Sequence, residues 1–127
     1  MEYGYKKQVN RDYKSAVRKT REELSKEGFG ILTEIDVKAI LKNKLDVDFE
    51  NYIILGSCNP PFAYRALQAE QDIGLLLPCN VIVYDKGGKT FVSAILPSAS
   101  MSMIENEELG KIAAEVEEKL KKVIDRL

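Results

Sequence analysis

A chain of 127 residues suits one domain with one core, and 45% hydrophobic with 31% charged residues is ordinary for a soluble globular protein. The formal charge of −1 comes from 19 basic and 20 acidic residues mixed along the chain, so no basic face is offered to nucleic acid or to an anionic membrane surface. Histidine is absent, which excludes Ser-His and Cys-His nucleophile pairs, an imidazole general base and His-built zinc sites, and two cysteines cannot make a four-thiolate site.

The first residues, Met-Glu-Tyr-Gly-Tyr-Lys-Lys, lack the apolar centre of a signal peptide, and no apolar run approaches the roughly 20 residues that span a bilayer. These features predict a cytoplasmic protein with reduced thiols and no membrane partner. No repeat, linker or low-complexity segment divides the chain, so residues 1–127 are read as a single domain.

Residues 3–9 alternate Tyr3, Tyr5 and Val9 with polar or small neighbours, which predicts a first strand. Asn10 or Asp12 can cap the following helix, where Tyr13, Ala16, Val17, Thr20 and Leu24 recur at helical spacing. Gly28 stands where that helix needs a left-handed residue, and 29–35 reads as a second strand. Asp36 caps a short helix with a narrow stripe of Val37, Ile40, Leu41 and Leu45, and the acidic 46–50 reads as a connection. Residues 51–57 form a third strand, apolar on both faces and therefore central.

Asn59-Pro60-Pro61 marks a helix start, with Asn59 as the cap and Pro60 in the first turn. Phe62, Ala63, Ala66 and Leu67 give its buried face, and Gly74 lies past its end. Gly87-Gly88 reads as a two-residue hairpin turn, which sets Lys86 opposite Lys89, Tyr84 opposite Phe91, Val83 opposite Val92 and Val81 opposite Ala94. The same register puts Cys79 on the buried side, facing Leu96, with Pro78 and Pro97 closing the two strands. Residues 98–103 read as a Ser/Met loop. From about Asn106 a last helix carries Leu109, Ile112, Ala113, Val116, Leu120, Val123, Ile124 and Leu127, a stripe suited to packing across a sheet. A short heptad seam is the lesser alternative.

Two blocks, Cys58-Asn59-Pro60-Pro61-Phe62-Ala63-Tyr64-Arg65-Ala66-Leu67 and Gly74-Leu75-Leu76-Leu77-Pro78-Cys79-Asn80-Val81, resemble the family catalogued as domain of unknown function 302. The likeness runs from the Phe29-Gly30 strand to Pro97 and is specific, because proline, cysteine and asparagine must match in order. It implies a small two-layer α+β domain with an antiparallel sheet of about five strands, helices packed mainly on one face, and a homodimer. It brings no established activity.

The candidate ligand-binding residues are Cys58, Asn59, Arg65, Cys79 and Asn80. Cys58 precedes a helix start, where the dipole favours a thiolate, yet Pro60 removes a donor there and no histidine can take the proton. A buried, inert cysteine is the preferred reading for Cys58 and more so for Cys79. If the helix after Cys58 folds back on the hairpin, the two sulfurs approach each other, which would allow a disulfide or a soft-metal site with Met101 or Met103. Asn59 and Asn80 have structural readings as a cap and a strand-end bond maker, and Arg65 reads as a surface residue able to meet an anionic ligand or a carboxylate. Gly87-Gly88 lacks the features of a phosphate loop. The expectation is a homodimeric binding or assembly module with a small-molecule ligand, no catalytic residue, no metal and no cofactor. The alternative is a thiol-based redox or soft-metal protein using Cys58 and Cys79.

Overall fold

Gly87 and Gly88 both take positive φ, 59° and 77°, the backbone that a tight two-residue hairpin needs. In the computed structural model, which describes residues 2–127, they join β4 (Cys79–Lys86) to β5 (Lys89–Ile95). The register is the expected one, from Lys86 opposite Lys89 to Val81 opposite Ala94. β1 (Gly4–Val9) pairs with β5, β3 (Tyr52–Cys58) with β4, and β2 (Gly30–Asp36) with β3, all antiparallel. The order is β1-β5-β4-β3-β2, so the two-sided apolar run of β3 lies inside the sheet, as its composition requires.

α1 (Tyr13–Lys26) carries the chain from one sheet edge to the other. Asp12 begins it by accepting the Ser15 amide proton at 2.8 Å, and Gly28, at φ 87°, turns the chain out of it. α2 (Val37–Leu45) is capped by Asp36, which accepts from the Ala39 amide at 3.0 Å, and it buries no residue. α3 (Pro60–Ala69) leads into a 3₁₀ turn, Gln71–Leu76, in the region that Gly74 was expected to close. Pro97 does more than end β5: it opens a short helix, α4 (Pro97–Ser100), so the expected Ser/Met loop begins as a helical turn. The Ser98 amide and hydroxyl both donate to Glu117 on α5 (Glu107–Asp125), which holds that turn down.

α5 buries Leu109, Ile112, Ala113, Val116, Leu120, Val123 and Ile124. It packs on β1, β5, α1, α3 and α4, so the stripe is used against the sheet and its neighbours rather than as a heptad seam. Val81, Val83, Val92, Ala94 and Leu55 form the sheet's half of that core and are all but sealed from solvent.

The other face of the sheet carries the alternate residues Tyr52, Ile54, Ile82, Tyr84 and Phe91, each only half-buried. Tyr52 stacks on Tyr84 and Tyr84 on Phe91, with centroids 5.2 and 5.4 Å apart, as directly opposed pairs do. The result is a two-layer α+β fold with an antiparallel sheet and the long helices on one side.

Candidate functional site

β3 ends at Cys58, the chain turns at Asn59, and α3 begins at Pro60. Beside this junction β4 begins at Cys79, because Ser57 pairs with Cys79 in the ladder and donates its hydroxyl to the Cys79 carbonyl at 2.7 Å. α3 crosses over these strand ends and packs on α5. Both helices are small-faced where they meet: Ala63 and Ala66 on α3, Ala113 on α5. Short side chains on facing surfaces leave a gap that the sheet cannot fill.

That gap is a cavity of about 300 Å³ with an almost wholly apolar lining. Phe29, Phe62, Leu77, Met101, Ile112 and Val116 supply most of its wall, and Cys58 and Cys79 both reach it. Leu32 stands at one side, 65% exposed, because the register of β2 against β3 slips between Ile31 and Thr33 and turns that side chain outward. Leu67, expected in the buried face of α3, is likewise exposed and borders the opening.

The cysteine residues are free and half-buried. Cys79 was expected inside the core; it lies on the core side of β4 but opens onto the cavity instead of being sealed by α3. Burial pushes its thiol up to about 11, and the neighbouring Cys58 adds to the rise, so at neutral pH Cys79 carries its proton. Met101 is buried against the same cavity, whereas Met103 points away and is 79% exposed.

Asn59 lines the cavity but does not cap α3. Pro60 and Pro61 fill the first two helical positions, so an N–H that a cap would bind is missing. Its amide instead donates to the Glu27 carbonyl at 3.0 Å and lies against Gly28, tying the end of α1 to the start of α3. Arg65 lies outside the cavity. It meets Glu108 at 3.4 Å and Glu115 at 3.8 Å on α5 and lies over the Phe62 ring, 5.6 Å from its centroid. Asn80 is exposed on the open face of the sheet, opposite Gly56, and is not brought to the other four. The structure thus gathers Cys58, Asn59 and Cys79 at one cavity and leaves Arg65 and Asn80 apart from it.

The family model described as "Domain of unknown function DUF302" matches residues 5–127. The chain belongs to this family. The match extends beyond the span of the Cys58 and Cys79 blocks to take in β1, α1 and α5. A solved structure, "Crystal structure of uncharacterized conserved protein DUF302 from Bacillus stearothermophilus", is similar with a TM-score of 0.93 and 31% identity, covering 99% of this chain and 98% of that one. No curated protein matches the chain. Among the described residues of this DUF302 domain, no group of three or more His, Cys, Asp or Glu side chains could hold a metal ion, and no helix is long and apolar enough to cross a membrane.

The sequence pointed to the two cysteines, Asn59 and, beside the cysteines, Met101, but not to Leu32 or the α5 wall. The usable signal for α5 was the alanine placement: Ala63 and Ala66 on one helix and Ala113 on another are small residues in otherwise large apolar stripes. Leu32 gave no such signal, since a slipped register is set by pairing with a strand more than 20 residues away.

Proposed function

We propose that the protein is a homodimeric, non-catalytic binding module that holds a small, neutral, apolar molecule in the cavity between β3, β4, α3 and α5. The observation that carries this reading is the lining: some 300 Å³ of space where, among the described residues, two thiols are the only titratable side chains. That volume is at the lower end of small-molecule pockets and about twice that of a cavity known to accept a benzene ring. A two-ring hydrocarbon or a short branched chain matches it, at about 0.8 kcal/mol for each methylene taken from water. A charged molecule would lose its hydration there and find no counter-ion.

Titration of the reduced protein with the neutral fluorophore phenylnaphthylamine tests the reading. Saturable binding with one molecule per chain is expected, and Ala113→Phe, which places a ring in the cavity from the α5 side, should abolish it while far-UV circular dichroism stays unchanged. Binding unaffected by Ala113→Phe would place the fluorophore elsewhere and sink the reading.

The homodimer reading rests on the half-buried face of the sheet, where Tyr52, Ile54, Ile82, Tyr84 and Phe91 carry, among the described residues, only Phe49 and Lys6 against their rings and no long helix. A thiol-based redox or soft-metal role for Cys58 and Cys79 is the second reading, and one observation favours it: both cysteines border the same cavity.

A further inference from the structure

Adjacent antiparallel strands bring the two cysteines close in a way that the ladder makes calculable. Ser57 and Cys79 are direct partners, so their Cα atoms are about 4.5–5.5 Å apart. Cys58 is one step further along β3, a rise of about 3.4 Å. The diagonal from Cys58 to Cys79 is therefore about 5.6–6.5 Å between Cα atoms, inside the roughly 4.4–6.8 Å range of disulfides. Strict pleating would send the two side chains to opposite faces of the sheet. Cys58, however, is the last residue of β3, where the chain bends into α3, and both cysteines line one cavity. The Cys58 thiol is also close enough to raise the titration of Cys79.

We propose that Cys58 and Cys79 form a reversible intramolecular disulfide that closes the apolar cavity to its ligand; this rests on the cavity being a binding site. The oxidant is a low-molecular-weight disulfide such as oxidised glutathione. The Cys58 thiolate attacks one sulfur of it, forming a mixed disulfide and releasing one small thiol. The Cys79 sulfur, its proton passed to water, then attacks the Cys58 sulfur and releases the second small thiol. Two protein thiols lose two electrons and two protons, and the small disulfide becomes two thiols. The bond needs no large backbone shift; it locks the start of α3, which holds Phe62 and Ala63, to the start of β4, so the cavity wall can no longer part to admit a ligand. Ligand is excluded when the pair is oxidised and readmitted when it is reduced.

Oxidised glutathione added to the purified full chain, followed by intact mass and non-reducing peptide mapping, reads the first half. Phenylnaphthylamine titration of the reduced and oxidised forms reads the second. The expected result is loss of two hydrogens with a Cys58–Cys79 crosslinked peptide, affinity for the fluorophore lowered about tenfold, and full recovery with reductant. Neither single variant should give the crosslinked peptide: Cys58→Ser should keep its unmodified mass under oxidant, and Cys79→Ser should stop at a glutathione adduct on Cys58 that the parent chain resolves. Chains crosslinked to one another, a glutathione adduct that persists on the parent chain, or a crosslinked chain that binds as tightly as the reduced one would overturn the proposal while leaving the binding site standing. Reduced protein that takes up no fluorophore would sink the binding-site reading and the closure together.

Discussion

Cys79 decides how the cavity can react. Its thiol stays protonated to about 11 because burial disfavours the thiolate, with Cys58 adding to the effect, whereas in the unfolded chain it ionises near its ordinary 9.0. The native state therefore keeps its proton longer. The stability this carries is fully present below pH 9 and is lost as pH rises from about 9 towards about 11. Alkylation of Cys79 by iodoacetamide, read by mass spectrometry, should quicken about tenfold per pH unit between pH 7 and 10, following the thiolate fraction. A rate that levels off by pH 8 would mean that the thiol is not held neutral. Asn59 makes a different contribution. Replacing it with alanine leaves the Glu27 carbonyl without its 3.0 Å donor, so Asn59→Ala should cost about 1–2 kcal/mol in urea unfolding. The side of β4 on which Cys79 lies was legible in the sequence, since strand alternation from a two-glycine turn fixes it. The partner of Asn59 was not, because it is 32 residues away at the end of another helix.

Elements with local punctuation were readable, and those that depend on distant pairing were not. Asp12, Asp36 and Asn106 each accept from the amide three residues on, so three helix starts were written in sequence. The hairpin register followed from Gly87 and Gly88 alone. The slipped register in β2 and the helical turn at Pro97 depend on packing that no short window contains. Gly56 shows how tight that distant pairing is. A Cβ there would collide with the Thr33 hydroxyl and come within 3.0 Å of the Pro78 ring, at the place where β2 resumes its register after the slip. Gly56→Ala should destabilise the fold by about 1–3 kcal/mol, measured by thermal unfolding. Because the closest atom belongs to Thr33, adding Thr33→Ala should recover part of that loss. A double variant no more stable than Gly56→Ala would assign the crowding to Pro78 instead.

At the scale of the whole molecule, the proposed dimer must use either a sheet edge or the open face. The edges are poorly suited: β1 has only six residues, with Lys7 held to the end of α5, and β2 is interrupted by its slipped register and carries Glu34 and Asp36. Lys6 turns onto the open face, over the Phe91 ring and 3.4 Å from the Tyr84 hydroxyl. The open face is better. Five strands at about 4.8 Å, each six to eight residues long, make a face of roughly 24 by 23 Å, about 550 Å² in projection. That approaches the roughly 800 Å² per partner of a standard interface, and exposed Tyr3, Ile35 and Phe49 extend the apolar area. Two such faces packed together would form a four-layer molecule with the cavities outermost, so assembly and ligand entry would not compete. Ile82 and Tyr84 lie near the middle of that face, pointing away from the core that Val81 and Val83 seal. Light scattering should therefore show twice the chain mass for the parent and a single chain mass for Ile82→Lys with Tyr84→Lys. Phenylnaphthylamine binding should persist in that double variant, because none of the cavity wall has changed. A parent protein that stays monomeric across micromolar to millimolar concentrations would leave the face without a second copy to cover it.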